Sequence, residues 1–118
     1  MWRRTFRLNN IQGVKLYRPN GESDESYNER NAKHTRKYED ISKALGENWR
    51  VAMVRKLAQM ADEKNTRVIG ELPALFGIGG LPLADKSEYA RQIRQYKQTY
   101  RKVGFHEHSD GTWRSYPQ

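Results

Sequence analysis

Residues 83–116 read LADKSEYARQIRQYKQTYRKVGFHEHSDGTWRSY, and this stretch decides the fold. Asp85 suits a helix N-cap, and Glu88 three residues on completes a capping box. Gly104 suits the left-handed position that ends a helix, with Arg101 and Lys102 placed against the negative helix end. Between the caps, Tyr89, Ile93, Tyr96, Tyr100 and Val103 recur at helical spacing and fall in one stripe at ~100° per residue. Ser109-Asp110-Gly111 then forms a turn between residues 105–108 and 112–116. The pattern predicts one capped amphipathic helix over 85–104, followed at once by an aromatic β-hairpin over 105–116.

The side of that helix opposite the tyrosines carries Arg91, Arg94, Lys97, Arg101 and Lys102, with Gln95 and Gln98 among them. It holds no acid beyond the first turn, so ion pairs within the helix cannot balance it. The chain as a whole has 22 Lys and Arg against 14 Asp and Glu, a formal charge of +8 over 118 residues. The excess is uneven. Arg3, Arg4, Arg7, Lys15 and Arg18 fall in residues 1–20 with no acid, Glu22, Asp24 and Glu25 follow, and the middle is nearly balanced. Such a charge favours polyanions: nucleic acid, acidic protein surfaces or anionic membranes. Cysteine is absent, which excludes disulfides and thiolate metal sites and fits a reducing cytoplasm. No apolar run approaches the ~20 residues that span a bilayer, and no signal-peptide pattern is seen. Aromatics at 11% argue for a folded core rather than a basic disordered tail.

The rest of the chain reads as a single α+β domain over 1–118. Residues 2–8 alternate, with Trp2, Phe6 and Leu8 on one face and Arg3, Thr5 and Arg7 on the other. Residues 14–18 form a second short strand candidate. Together they predict a basic N-terminal β-hairpin over 1–18. A helical core is expected over 26–104, with three to four helices. Over 26–45, Tyr27, Asn31, His34, Tyr38, Ile41 and Leu45 share a stripe whose first half is polar, closed by Gly46. Over 48–63, Trp49, Met53, Leu57 and Met60, flanked by Val51, Val54, Ala58 and Ala61, give an apolar arc wide enough for the central core helix. In residues 68–76, Val68-Ile69 can form a strand, while Leu72-Pro73-Ala74-Leu75-Phe76 can form one or two helical turns. The wing hairpin occupies 105–116.

Other motifs carry less. Gly77-Ile78-Gly79-Gly80-Leu81-Pro82 lacks dinucleotide or phosphate-loop spacing and reads as a turn. His106 and His108 share a strand face but lack further histidine or thiolate partners nearby, so no metal site or cofactor is expected. His34 reads as an interior, hydrogen-bonded histidine. Trp49 reads as core, Trp113 as packing the hairpin onto the long helix, and Trp2 as capping the first hairpin. No nucleophile motif or HExxH is present, and the carboxylates sit mostly in solvated runs, so no enzyme activity and no catalytic residue is expected.

From the first helix onward, roughly residues 35–116, the element order resembles that of winged-helix DNA-binding domains, in which three helices precede a β wing. The resemblance implies that residues 86–102 hold the recognition helix and 109–112 the wing tip. The 77–84 connection is longer than a tight helix-turn-helix turn, and the long helix exceeds the usual recognition helix. On this reading the chain is a small, non-enzymatic, regulatory DNA-binding protein of the cytoplasm, with duplex DNA favoured. Arg91, Arg94, Lys97, Arg101 and Lys102 meet phosphates, Gln95 and Gln98 read base edges, and Arg3, Arg4 and Arg7 add a second backbone contact. The alternative belongs to another class. Small, cysteine-free, basic domains without a catalytic motif are similar in type to phage-encoded accessory proteins, which bind and inhibit or redirect a larger host protein such as a transcription or defence enzyme. The acidic loop 22–25 and the half-polar stripe of the first helix would then be the contact surfaces. Neither reading sets an oligomeric state or involves a membrane.

Overall fold

A computed structural model describes residues 4–11, 16–74 and 85–118. Its elements run β1 (Arg4–Leu8), α1 (Asp24–Leu45), α2 (Trp49–Glu63), β2 (Thr66–Gly70), α3 (Lys86–Lys102), β3 (His106–Glu107) and β4 (Trp113–Arg114). The protein is α+β, with three helices and a four-stranded mixed sheet among the described residues. Each helix begins where a short polar side chain accepts from an otherwise orphan backbone N–H. Ser23 Oγ accepts from Ser26, Asn48 Oδ1 from Arg50 and Asp85 Oδ1 from Glu88, at 3.1, 2.9 and 2.8 Å. Gly46, at φ 74°, closes α1 in the left-handed conformation expected there.

The strands lie in the order β1-β2-β4-β3. β1 and β2 are parallel, with Phe6 opposite Val68 and Leu8 opposite Gly70; the other pairs are antiparallel. Among the described residues β1 thus pairs with β2 rather than with a hairpin partner. Residues 16–18 lie in no strand, and 12–15 fall outside the described residues. A free two-stranded ribbon is marginal in water. Pairing with β2 instead places Leu8 under the helices, where it is 6% exposed. The C-terminal hairpin forms as expected. It is not a free wing, because Trp113 pairs with Gly70 and makes the hairpin one side of the same sheet. In the 68–76 stretch, Val68 and Ile69 lie in β2 as expected; residues 72–74 are not helical, and 75–76 are outside the described residues.

The core lies between one sheet face and helices α2 and α3. It gathers Leu8, Ile11, Val54, Val68, Tyr96, Tyr100, Phe105 and Trp113. Tyr100 is fully buried, with the rings of Phe105 and Trp113 stacked at 6.0 and 5.8 Å and that of Tyr96 edge-on at 6.4 Å. Its hydroxyl donates to the Glu71 carbonyl at 2.7 Å and lies 3.4 Å from that of Leu8. The Tyr96 hydroxyl accepts from the Ile11 N–H at 3.2 Å. The two tyrosines thus satisfy backbone groups where β1 and β2 end, which buried polar groups require. Gly70 is the other half of this fit, since a Cβ there would come within 2.6 Å of the Tyr100 ring.

α1 departs from expectation. None of its 22 residues is buried. Tyr27, His34 and Tyr38 are half-buried, while Asn31, Ile41 and Leu45 are exposed. His34 meets Tyr38 edge-on at 5.2 Å rather than entering the core. Trp49 is also outside the core; its ring sits between Tyr38 at 4.8 Å and the Arg50 guanidinium at 4.5 Å. The buried arc of α2 is narrower than the pattern suggested, running through Val51 and Val54 and leaving Met53 and Met60 exposed. Trp113, at 2% exposure against Tyr100, packs the hairpin onto α3 as read from the sequence.

The start of α1 is held by charge. Arg30 donates to both Glu22 carboxylate oxygens at 2.7 and 2.6 Å, and Ser26 donates to one of them. Arg18 pairs with Asp24. The Arg30 hydrogen bonds hold the Glu22 carboxyl below its ordinary 4.5. A depressed carboxyl contributes stability that is complete above that value and is lost as pH falls through the folded one. The melting temperature should therefore drop on acidification from about pH 5. Glu22→Gln should show a smaller drop; an equal one would mean that this pair does not contribute.

Candidate nucleic-acid interface

The amphipathic period of α3 turns its tyrosines to the sheet and its cations outward. Arg91, Arg94, Gln98, Arg101 and Lys102 are exposed, while Gln95 and Lys97 are half-buried. The expected site residues of α3 do share one side of the helix, but not one environment. Lys97 lies 3.9 Å from Glu107 of β3. The Arg101 guanidinium sits 5.4 Å from the Trp113 ring centroid, a cation–π distance. Gln95, Gln98 and Lys102 border a small groove of about 190 Å³ with Asn48 and Arg50 at the start of α2. Arg91, Gln92 and Gln95 border a larger cleft of about 910 Å³ that faces α1. Arg91, Arg94, Arg101 and Lys102 form no ion pair among the described residues.

Arg7 is not continuous with this face. Tyr100 marks the Gly70 side of the sheet as the α3 side. Arg7 is in register with Ile69, and alternation sends it to the opposite side. There it donates to Glu71 at 2.8 Å. Arg4 shares the helix side with Phe6 and Leu8 but lies on the outermost strand. Arg3 lies outside the described residues, as do Trp2 and the Gly77–Gly80 turn.

The hairpin tip is not cationic. Asp110 accepts from the Thr112 N–H and hydroxyl at 2.9 and 2.6 Å and pairs with Arg114 at 3.1 Å. The Thr112 bonds hold its carboxyl below the usual range, so it is ionised at neutral pH. His108 Nε2 lies 2.8 Å from the Tyr116 carbonyl, while His106 is exposed. Among the described residues no three His, Asp or Glu side chains gather as a metal site, and no helix is long and apolar enough to cross a membrane. The acidic loop is engaged internally, through Glu22 with Arg30 and Asp24 with Arg18.

Two cations escaped the reading of the sequence. Arg55 of α2 pairs with Glu47 at 3.3 Å and donates to the Lys102 carbonyl at 3.2 Å, capping the C-terminal end of α3. Arg50 lies over Trp49 and borders both clefts. Burial disfavours its charge, and Arg91 opposes it further. The only local signal for Arg50 was its place beside a tryptophan at a helix start.

No protein-family model matches this chain, and no curated protein or solved structure is significantly similar to it.

Proposed function

We propose that the protein is a non-enzymatic, regulatory, cytoplasmic nucleic-acid-binding protein that contacts duplex DNA through the outer face of α3. The observation that carries this reading is the set of Arg91, Arg94, Arg101 and Lys102, like-charged on one helix side and in no ion pair among the described residues. A run of phosphates supplies the missing counter-charge. Gln98 lies exposed among these cations, placed to meet a base edge. The order α2, β2, α3 and hairpin supports a winged-helix-like arrangement with α3 as recognition helix. The ionised Asp110 at the hairpin tip leaves α3 to supply most of the attraction.

Fluorescence anisotropy with a duplex over a salt series tests the proposal. Binding should weaken linearly in log salt, with a slope near −0.9 per phosphate neutralised. Arg94→Gln with Lys102→Gln should flatten that slope by about 2. A flat slope for the unaltered protein overturns the reading.

The separation of Arg7 from α3 favours a second reading, a phage-type module that binds and inhibits or redirects a larger host protein. Exposed Ile41, Leu45 and Met53, at 39%, 54% and 39%, are its best apolar contacts. Pull-down from nuclease-treated lysate separates the two, because a protein partner survives the nuclease and a nucleic-acid bridge does not.

A further inference from the structure

The stripe of α1 is only half-buried, although Tyr38 meets Trp49 and Arg18 lies over Tyr27. A helix that packs on its neighbours turns apolar residues inward. α1 instead turns Tyr27, Asn31, His34 and Tyr38 toward a cleft of about 910 Å³, across which stand Arg91, Gln92 and Gln95 of α3. That volume falls within the range of small-molecule sites, roughly 300–1,000 Å³. Its walls are rich in carboxamides, contributed by Asn9, Asn10, Asn31, Gln92 and Gln95. Each carboxamide offers both donors and an acceptor, the complement of a heterocyclic base edge.

The cleft also holds an anion receptor. The Trp49 ring covers one face of the Arg50 guanidinium at 4.5 Å, and Tyr38 backs that ring at 4.8 Å. A guanidinium held by its face keeps its in-plane N–H fork for a bidentate oxyanion. Neither Arg50 nor Arg91 forms an ion pair among the described residues. Of the acids at the cleft, Glu71 is committed to Arg7, and Glu88 pairs with neither arginine. Arg50 is half-buried beside the like charge of the exposed Arg91, which is costly unless an anion joins them.

We propose that the cleft between α1 and α3 binds a nucleotide, its phosphate held by Arg50 and Arg91 and its base by the carboxamide and aromatic walls. The proposal deepens the nucleic-acid reading and shares Arg91 with it, but rests also on Arg50 and the cleft walls, which that reading does not use. A free nucleotide and an unpaired nucleotide of a strand share this chemistry.

The test titrates the full chain with AMP, CMP, GMP, UMP, adenosine and a six-nucleotide single strand, reading tryptophan fluorescence and amide NMR shifts. At least one mononucleotide should bind with Kd below about 1 mM, shifting Gln92 and Gln95, and adenosine should bind at least about tenfold more weakly for want of a phosphate. Arg50→Gln should weaken nucleotide binding at least about tenfold, and Arg50→Lys should only partly rescue it, because a lysine lacks the fork. The fluorescence response should vanish in Trp49→Phe. A strand that binds much more tightly than any mononucleotide identifies an unpaired segment as the source, and equal affinities identify the free nucleotide. Absence of saturable binding by every mononucleotide and by the strand overturns the proposal, as does nucleotide binding unchanged by Arg50→Gln and by Arg91→Gln, each variant checked for folding by circular dichroism. The duplex reading is tested apart from this one: Arg94→Gln should weaken duplex binding and leave nucleotide binding intact, and Arg50→Gln should do the reverse.

Discussion

Tyr100→Ala should destabilise the protein by about 3–5 kcal/mol, the usual loss for truncating a large buried aromatic. That is a large fraction of the roughly 5–15 kcal/mol that holds a typical domain together. The ring is fully buried, stacks on Phe105 and Trp113, and covers Gly70. Its loss opens a cavity where α3, β2 and the hairpin meet. Tyr100→Phe isolates the hydroxyl: the Glu71 carbonyl loses its 2.7 Å donor, and about 1–3 kcal/mol should follow. Gly70→Val should match the alanine variant from the other side, because its side chain must displace the ring. Urea unfolding followed by circular dichroism measures all three. A Tyr100→Ala protein within about 1 kcal/mol of the parent would contradict the packing described.

Charge reversal on α3 should have the second large effect. Arg94→Glu with Lys102→Glu replaces two phosphate attractions by two repulsions on exposed positions. Duplex affinity near 0.1 M salt should fall by at least about a hundredfold. Because both side chains are exposed, the melting temperature should stay close to that of the parent. Reversing Arg7 with Arg7→Glu should change affinity far less, since Arg7 lies on the opposite sheet face against Glu71. Equal losses from Arg7→Glu and from the α3 pair would mean that the bound surface is not α3.

What could be read from the sequence was what local rules govern. The caps of α3 and the Ser109-Asp110-Gly111 turn depend on residues a few positions apart, and both stand in the structure. The pairing of β1 was not readable in this way. Arg67 and Thr5, 62 residues apart, touch across β1 and β2, and no turn between them announces it. Residues 14–18 were nearer and also read as a short strand, so a hairpin looked sufficient. Periodicity also misled at α1. A stripe of Tyr27, Asn31, His34 and Tyr38 shows that one side of a helix differs from the other, not whether that side meets a core or a cleft. The expected site was legible as a patch, since Arg91, Arg94, Arg101 and Lys102 lie on one exposed side. Its limits were not, because Lys97–Glu107, Arg7–Glu71 and the place of Arg50 are set by tertiary contacts.

The parallel join of β1 to β2 also dictates the order in which the chain can assemble. During synthesis β1 has no strand partner until about sixty further residues have emerged, and the Tyr100 hydroxyl meets the backbone of Leu8 across 92 positions. Closing a loop of that length costs entropy before any contact repays it, and topologies rich in such distant pairings fold slowly. α1 and α2, joined by local contacts, can form as a helical hairpin while β1 waits with Leu8 uncovered. In that interval the nascent chain presents an unpaired strand edge, the kind of segment that chaperones shield.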